Sequence, residues 1–514
     1  MKISDFRFQI SLACVFTVLL CGEGTHAEDW TMWGRTPDRN WITPEKGIPT
    51  EWDVEAGKNI KWVAQLGSKS YGNPIISNGV VYVGTNNEAH RDEKFKADAG
   101  VLMAFNEKDG KFLWQRISAK LPTGRVNDWP GEGVCSTVLA ESGRIYYCTN
   151  RCEAVCLDVS PGNPTFKEVW STDMIKEFGV FPHNMTACSI LPYDDMLYLI
   201  TGNGVDDTHK HVVAPEAPSV VALRKSDGKV VWTDNSPLDH VLHGQYSSPA
   251  LAMVNGKAQI IVPEGDGWLR AYEAKTGKIL WKFDSNPKDA IYPQIRNELI
   301  ATPVIYKNRL YIANGQDPEH GEGPGQFWCI DITKTGDISF EIDADPSAPL
   351  PKIGEELVAP SGKTRNRAGK PNPNSGVIWH FSAINGDAKI LNNAKLPAEE
   401  RMNRSMATCA IDPATGLLFI PDLSGYLHCL NADTGQHYWT EYLESEIWGS
   451  PLICDGKLYQ GSENGFVTLY AVSNKVNKIG AFDMGSAVYS TPVFANGTLY
   501  VMTRDKLYAI SDKK

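Results

Sequence analysis

The sequence predicts an all-β fold, an eight-bladed β-propeller built from four-stranded antiparallel blades. A strand–turn–strand pattern recurs eight times, as in SPLICDGKLYQGS from Ser450 and TPVFANGTLYVMT from Thr491. Each copy leads into a third strand that carries a small residue at one fixed position. A Trp then follows ten residues later in four copies, and with altered spacing in two more. A repeat of this length with four short strands is typical of a propeller blade.

Each copy opens with a small residue before a short alternating strand, an Asn-Gly-type turn and a strand that contains Tyr or Phe in most copies. The copies begin at Asn73, Ser136, Cys188, Ser248, Thr302, Cys409, Ser450 and Thr491. The small residues of the third strands are Ala104, Cys156, Ala222, Ala271, Cys329, Cys429, Ala471 and Ala509. The Trp residues are Trp114, Trp232, Trp281 and Trp439, with Trp170 and Trp379 at altered spacing. Because blades stack face to face, we expect these large side chains to fill the seams between neighbours.

The last copy ends at Ile510 without a fourth strand. Residues 59–63 have the character of that strand, so the N-terminal part of the chain is predicted to complete the final blade and close the ring. On this interpretation residues 28–58 form a lead-in segment and residues 59–514 form the propeller. Residues 337–375 form an insertion in blade 5, rich in Pro, Gly and Lys, to which we assign no role.

The first 27 residues are predicted to be a signal peptide. Lys2 and Arg7 precede an apolar run from Ile10 to Leu20, and Thr25 and Ala27 offer small residues for cleavage. The alternative is a lipid anchor on Cys21, against which Leu20 stands where a lipobox normally has Gly or Ala. We therefore expect an exported protein, periplasmic or secreted.

Composition narrows the classes of partner. The chain is 42% hydrophobic and 22% charged, which is typical of a globular protein, and its formal net charge is −11. An acidic chain without a basic cluster argues against nucleic acid as a partner. No stretch beyond the leader is long and apolar enough to predict a transmembrane helix. A closed propeller offers no open sheet edge for assembly, so we expect a monomer.

The cysteines predict neither haem attachment nor a disulfide framework. There is no Cys-x-x-Cys-His motif, so covalently bound haem is not expected. Eleven cysteines become nine when the leader is removed, an odd number. Three of them occupy the position that holds Ala in other copies, which favours a packing role.

The loops are unequal on the two faces of the ring. Turns between the first and second strands, and between the third and fourth, are mostly minimal. The connections on the other face are long and varied, including residues 86–100, 205–218 and 316–326. Because binding residues concentrate on loops held by a rigid scaffold, we expect the functional site on this second face.

Several residues that break the repeat precede the innermost strands and should approach the central channel. Together they would suit an anionic, planar ligand, since Arg pairs with carboxylates and aromatic faces stack. The alternative is that they line a water-filled channel and bind nothing. The predicted cofactor-binding residues are Glu132, His183, Asn184, Gln245, Arg296, Arg404, Trp448 and Tyr489, and His243 lies at a comparable position.

Two of the long loops carry clusters of acidic residues and histidine. Such a density of carboxylate ligands could hold Ca²⁺. The alternative interpretation is a pair of solvated acidic loops. The predicted metal ligands are Asp206, Asp207, Asp317 and Glu319, beside His209, His211, His320 and Glu322.

The segment AYEAKTGKILW, Ala271–Trp281, resembles the Trp-docking repeat of pyrroloquinoline quinone (PQQ) dehydrogenases. The same repeat occurs in the propeller lipoprotein of the outer-membrane barrel-assembly machine. The resemblance covers residues 59–510 and implies the fold, while its chemistry differs between the two groups. An enzyme of this kind is expected to use PQQ, with Ca²⁺ polarising the quinone and an Asp as general base.

The chain departs from the enzyme pattern in two respects. PQQ alcohol dehydrogenases typically carry two adjacent cysteines at the cofactor, and no Cys-Cys pair is present. Their calcium-ligand and catalytic-Asp motifs also find no residue-by-residue match, so no catalytic residue is assigned. Three hypotheses remain for function. The first is a PQQ-dependent dehydrogenase of alcohols or sugars that passes electrons to an external acceptor, and the second is a non-catalytic scaffold for a periplasmic protein partner. The third is sugar or polymer binding without redox chemistry.

Overall fold

The computed structural model describes residues 28–161, 165–345, 369–384, 391 and 393–512. The predicted signal peptide, residues 1–27, and residues 346–368 of the predicted insertion lie outside this part of the chain. Eight four-stranded antiparallel blades form a ring, so the predicted propeller is confirmed. The first strands of neighbouring blades contact one another and surround the channel.

Strands A to D run outward from the channel in each blade. Blade 1 comprises Ile75–Ser77, Val80–Asn86, Ala99–Asn106 and Phe112–Ala119. Blade 2 comprises Leu139–Glu141, Arg144–Cys148, Glu153–Asp158 and Lys167–Asp173. Blade 3 comprises Leu191–Tyr193, Met196–Ile200, Val220–Arg224 and Val230–Asp234. Blade 4 comprises Ala250–Val254, Lys257–Pro263, Trp268–Glu273 and Ile279–Asp284.

The second half of the ring repeats this order. Blade 5 comprises Val304–Tyr306, Arg309–Ala313, Phe327–Asp331 and Val377–Phe381. Blade 6 comprises Ala410–Asp412, Leu417–Pro421, Tyr426–Asn431 and His437–Tyr442. Blade 7 comprises Leu452–Cys454, Lys457–Gly461, Phe466–Ala471 and Lys478–Asp483. Blade 8 comprises Val493–Ala495, Thr498–Met502, Lys506–Ile510 and, as its outer strand, Ile60–Gln65.

The N-terminal strand closes the ring as predicted. Ile60–Gln65 pairs antiparallel with Lys506–Ile510, so the two ends of the propeller share one sheet. Helices are scarce in the described residues. One α-helix, Met174–Phe178, follows blade 2 and is capped by the Asp173 side chain, and short 3-10 helices lie at Asn87–Ala89, Leu238–His240, Pro318–His320 and Ala398–Glu400. None of the described helices is long and apolar enough to cross a membrane.

In seven blades the small residue of strand C and the Trp of strand D are direct cross-strand partners. Blade 7 departs from the prediction: Leu469 lies opposite Gly480 at this position, and the predicted small residue Ala471 lies two residues farther along. Ala271 lies opposite Trp281, and Cys156 lies opposite Trp170. The small residue of each of these pairs is fully buried. The same pairing occurs at Ala104–Trp114, Ala222–Trp232, Cys329–Trp379, Cys429–Trp439 and Ala509–Trp62. The cysteines of this position therefore serve as small buried residues, and all nine described cysteines are free and buried.

Five of these Trp residues donate an indole hydrogen bond to the following blade. The Trp232 indole Nε1–H donates to the carbonyl oxygen of Ala274, 2.8 Å away, and the ring lies over Gly277 in the turn between strands C and D of blade 4. Equivalent hydrogen bonds join Trp62 to Glu107, Trp170 to Lys225, Trp379 to Ala432 and Trp439 to Ser473. These contacts repeat one seam geometry around the ring.

The seam between blades 4 and 5 differs because the insertion begins there. Gly336–Asp337 adds a parallel strand beside Ile279–Asp284 and pairs Gly336 with Trp281. Trp281 is fully buried and donates to the Gln259 side chain of its own blade. Farther along, Glu341–Asp343 pairs with Gly369–Pro371 at the base of the insertion.

The lead-in segment crosses the innermost strand or its start in every blade. It begins at blade 1, where the Ile76 amide donates to Trp30, and passes blade 2, where the Ala140 amide donates to Thr31. Arg39, fully buried, then donates to the carbonyls of Ser189 and Pro249 at blades 3 and 4. The remaining contacts are Ile305 to Asp38 at blade 5, Asn40 with Ile411 at blade 6, Ile42–Thr43 with Ile453–Cys454 at blade 7, and Glu45 with Asn496 and Gly497 at blade 8. The lead-in thus closes the channel on the face of the minimal turns.

Candidate functional site

A central cavity of about 330 Å³ lies above the lead-in and is lined by residues of all eight blades. Trp33 of the lead-in contributes to its wall, so the segment that closes the channel also lines the cavity. The volume falls at the lower end of the range of small-molecule sites, which is about 300–1,000 Å³. The cavity belongs to the face with long loops, since its walls include residues of the loops before strand A and between strands B and C.

Three aromatic rings form one wall of the cavity, where blades 1, 7 and 8 meet. Trp448 and Tyr489 lie with ring centroids 4.6 Å apart, and Tyr71 lies 5.5 Å from Tyr489 and 6.1 Å from Trp448. Trp448 donates its indole N–H to Glu446, and the Tyr489 hydroxyl donates to Glu463. Because both polar atoms are engaged outside the wall, the rings are held in place and offer their faces to a ligand.

Glu132 is a buried carboxylate beside this aromatic wall. Its Oε1 atom lies 2.5 Å from the ammonium group of Lys69. Its Oε2 atom is buried, and no well-aligned hydrogen-bond donor reaches it from the described residues. Burial, the negative charge of Glu132 and a hydrogen bond to it raise the pKa of Tyr71 well above its ordinary value. A carboxylate neutralised by Lys69 can still accept a hydrogen bond from an uncharged ligand.

The structure brings half of the predicted cofactor-binding residues to this cavity. Glu132, Asn184, Trp448 and Tyr489 line it, and so do two of the predicted metal ligands, Asp317 and Glu319. The remaining predicted residues, His183, Gln245, Arg296 and Arg404, are not among its lining residues.

The two arginines make other contacts. Arg404 is buried and donates to the carbonyls of His320, Gly321 and Pro293, so it braces the loop between strands B and C of blade 5. Arg296 donates to the Asp266 carbonyl and lies 3.5 Å from the Asp284 carboxylate. Among its described lining residues the cavity has neither Lys nor Arg.

Gln245 and His183 lie at the base of another long loop, residues 205–218 of blade 3. Gln245 donates to the Asn203 carbonyl and to the Ser219 hydroxyl, at the two ends of this loop. His183 Nδ1 lies 2.8 Å from the Val205 carbonyl oxygen. Both residues therefore fix the loop that carries His209.

Four histidines from three blades meet beside the cavity. His183 and His243 lie with their Nε2 atoms 3.0 Å apart, and the His209 ring centroid lies 5.0 and 4.7 Å from theirs. His320 lies 5.1 Å from His243 between centroids. Asp317, on the cavity wall, approaches His243 Nδ1 to 3.4 Å.

The predicted Ca²⁺ ligands are distributed differently. Asp206 accepts hydrogen bonds from the Thr208 and Lys210 amides and pairs with the exposed His211, and Asp207 is exposed. Two groups of three residues in the described part of the chain have ligand atoms within 4.8 Å of one another: His183, His209 and His243, and His243, Asp317 and His320. The clustering is thus dominated by nitrogen ligands, and the Ca²⁺ site stays a prediction.

Several residues of the cavity were not predicted from the sequence: Trp33, Tyr71, Trp129 and Tyr246. Tyr71 precedes strand A of blade 1 at the position that Tyr489 occupies in blade 8, so the repeat alignment held the signal for it. Trp33 gave no such signal, because the lead-in has no equivalent in the repeat.

The family model described as outer membrane protein assembly factor BamB matches residues 98–349 and 372–479, more than half of the chain. The chain belongs to this family. The predicted resemblance to PQQ-like repeat proteins is thereby confirmed. Proteins with this fold include both scaffold proteins and quinoproteins. The family assignment therefore establishes the fold of the chain but does not establish its chemical function.

Curated relatives are quinone-dependent enzymes by name. The dehydrogenase subunit of an alcohol dehydrogenase (quinone) from Gluconobacter oxydans is 24% identical over 380 residues, 70% of this chain and 38% of its own length. The quinoprotein alcohol dehydrogenase PedH from Pseudomonas putida is 30% identical over 293 residues, 54% of this chain and 43% of its own length. The chain therefore spans about two fifths of the length of these curated relatives.

Solved structures share the fold with the chain. BamB from Moraxella catarrhalis superposes with a TM-score of 0.53 at 13% identity, covering 87% of this chain and 98% of its own. The quinohemoprotein alcohol dehydrogenase from Comamonas testosteroni superposes with a TM-score of 0.59 at 13% identity, covering 94% of this chain and 80% of its own. At such identities the likeness concerns the fold alone.

Proposed function

We propose that this BamB-family protein is an exported ligand-binding propeller whose central cavity takes an uncharged, hydroxyl-bearing small molecule of the sugar class. One observation carries the proposal: a cavity bounded by the lead-in combines the aromatic wall of Tyr71, Trp448 and Tyr489 with the buried carboxylate of Glu132. Aromatic faces bury the apolar faces of such a ligand, and the carboxylate accepts a hydroxyl hydrogen bond.

The cavity does not fit PQQ, which the relatives imply. PQQ is a planar quinone with three carboxylates, and such a ligand calls for Arg or Lys partners. The lining residues include Glu132, Asp317 and Glu319 and no described Lys or Arg. Lys69, which contacts the lining residue Glu132, is neutralised by that carboxylate. Burial raises the pKa of Asp317 to about 6, so this carboxyl group remains largely ionised at pH 7. A trianion would meet acidic groups on the wall without compensating charge.

The proposal is tested by isothermal titration of the mature protein with a panel of mono- and disaccharides, and with PQQ as competitor. For a sugar that binds, Glu132→Gln should weaken affinity about tenfold, because one charge-assisted hydrogen bond is worth about 1.5–3 kcal/mol. Trp448→Ala should weaken it by a similar factor through lost stacking. Trp268→Ala is the matched control, since Trp268 lies outside the cavity lining.

Two results would overturn the proposal. One is saturable binding of PQQ with no binding of any sugar in the panel. The other is a sugar affinity that is unchanged in both Glu132→Gln and Trp448→Ala. The second would place the sugar outside the cavity.

The family match also supports a scaffold function, in which the propeller binds a periplasmic protein partner. Affinity purification of the mature protein from its own envelope fraction distinguishes the two. A stoichiometric partner whose binding survives Glu132→Gln and Trp448→Ala would favour the scaffold, because those substitutions alter the cavity alone.

A further inference from the structure

The histidine cluster beside the cavity has the composition of a metal site. Two neighbouring blades contribute its three residues: His183 precedes strand A of blade 3, His209 lies in the B–C loop of the same blade, and His243 precedes strand A of blade 4. His183 and His243 are fully buried. The loop of His209 folds back as a small hairpin, in which Val205 pairs with Val212 and the Val205 amide donates to the His243 carbonyl.

The neighbours of the His183 and His243 rings favour a proton on Nδ1 of each ring. This leaves two Nε2 lone pairs facing each other, which is unfavourable unless a cation lies between them. His183 Nδ1 faces the Val205 carbonyl oxygen, which only accepts, so the neutral ring carries its proton on Nδ1 and a lone pair on Nε2. His243 Nδ1 faces Asp317 Oδ2 at 3.4 Å and Glu298 Oε1 at 4.0 Å, which likewise favours a proton on Nδ1. Two lone pairs then face each other across 3.0 Å.

The other tautomer of His243 does not remove the conflict. A proton on its Nε2 would bridge the two rings, but the bare Nδ1 would then face the Asp317 carboxylate. A cation bound to Nε2 of both rings removes the conflict, because the His183 Nδ1–H then donates to the Val205 carbonyl and the His243 Nδ1–H faces the Asp317 carboxylate at 3.4 Å. This outward hydrogen bond is the usual arrangement of metal-binding histidines.

We propose that His183, His209 and His243 bind a divalent transition-metal ion of the zinc and copper class, with Asp317 as the outer partner of His243. Three imidazole nitrogens favour these ions over Ca²⁺ and Mg²⁺, which prefer oxygen. The ligand atoms of these three residues lie within 4.8 Å of one another, so a single ion can contact all three.

The surroundings hold the cluster in place. Gln245 ties the two ends of the His209 loop, and Arg404 braces the loop that carries Asp317 and His320. His320 Nε2 lies 3.0 Å from the Tyr292 hydroxyl, with which it forms a hydrogen bond. The ligand atoms of His320, His243 and Asp317 also lie within 4.8 Å of one another. The metal would thus lie at the wall of the cavity, between blades 3, 4 and 5.

The test measures metal binding directly and does not depend on the proposed sugar ligand. Untagged mature protein is stripped with chelator, dialysed against Zn²⁺ and analysed by mass spectrometry, and Co²⁺ is added in a parallel sample for its visible spectrum. The variant is His209→Asn, because His209 has φ 56° and Asn tolerates this left-handed conformation. The matched control is His211→Asn, two residues away and exposed.

We expect one equivalent of Zn²⁺ in the wild type and in His211→Asn. In His209→Asn the Zn²⁺ affinity should fall at least about tenfold, because loss of even a hydrogen-bond partner of a metal ligand lowers metal affinity by about this factor. Circular dichroism should show both variants folded. Equal Zn²⁺ binding by the wild type and His209→Asn would overturn the proposal, and so would displacement of Zn²⁺ by excess Ca²⁺. Loss of binding in His211→Asn alone would assign the ion to an exposed surface site and refute it equally.

Discussion

The docking of Trp232 on the next blade predicts that two glycines of one blade differ in their tolerance of a methyl group. Gly277 and Gly256 of blade 4 both lie in tight turns, with φ of 72° and 74°. A Cβ atom on Gly277 would lie 2.7 Å from the Trp232 ring, whereas a Cβ atom on Gly256 would meet nothing within 4 Å. The two substitutions to Ala therefore share the backbone strain and differ in the contact with Trp232.

The magnitudes follow from these two contributions to the free energy of unfolding. A left-handed Ala costs about 1–2 kcal/mol, so Gly256→Ala should lose that amount. Gly277→Ala should lose about 1–3 kcal/mol more, the usual cost of forcing an extra methyl group into a packed contact. Unfolding in guanidinium chloride, followed by circular dichroism and compared at constant slope, measures the difference.

Removal of the ring supplies the decisive control. Trp232→Ala alone should cost about 3–5 kcal/mol, since it deletes a buried indole and its hydrogen bond to Ala274. In that background Gly277→Ala should cost only the backbone strain, about 1–2 kcal/mol. Equal losses for Gly256→Ala and Gly277→Ala, or an undiminished cost of Gly277→Ala without the ring, would refute the docking geometry.

Two further substitutions test buried polar contacts, each by denaturant unfolding. Burial alone would raise the pKa of Asp284, but the charges of Arg296 and Lys288 lower it overall. This carboxylate therefore stabilises the fold above about pH 4, and its contribution is lost as the pH falls through the lowered pKa. Asp284→Asn should flatten this part of the plot of unfolding free energy against pH. An unchanged plot would contradict the stabilising role of the Asp284 carboxylate. Asn40→Ala should lower the free energy of unfolding by about 2–4 kcal/mol, because the backbone N–H and carbonyl of Ile411 both lose their hydrogen bonds to the Asn40 side chain. A decrease below about 0.5 kcal/mol would show that the lead-in does not hold blade 6.

The fold was predictable from the sequence because seven of the eight blades repeat the same packing requirement. The small residue of strand C and the Trp of strand D recur together because they are cross-strand partners, as Ala222 and Trp232 are. The closing strand was predictable for the same reason, since Trp62 lies opposite Ala509. The repeat alone could not show that residues 28–45 circle the channel, because that segment occurs once and has no second copy to compare with.

The sequence predicted which residues lie near the channel, but it did not predict which of their side chains face the cavity. Residues that break the repeat before strand A do cluster near the channel, as Glu132 and Tyr489 show. Arg296 and Arg404 occupy similar positions, but long loops leave carbonyl groups to satisfy, and both guanidinium groups donate to such carbonyls. Whether a side chain faces the ligand or its own loop depends on contacts between loops, which periodicity does not encode. The histidines had a sequence signal, since His183 and His243 precede strand A in adjacent blades.

The lead-in bears on the choice between a ligand-binding propeller and a scaffold. A scaffold needs only outer surfaces, and its channel can stay open at both ends without cost to function. In this chain residues 28–45 contact all eight blades, bury Arg39 completely at the channel end and place Trp33 on the cavity wall. The result is a cavity bounded by the lead-in, with an aromatic wall from blades 1, 7 and 8 and a histidine cluster beside the wall of blades 3 to 5. Burying an arginine and closing a channel are costly arrangements that a scaffold does not require, whereas a site that must exclude water around a small ligand does.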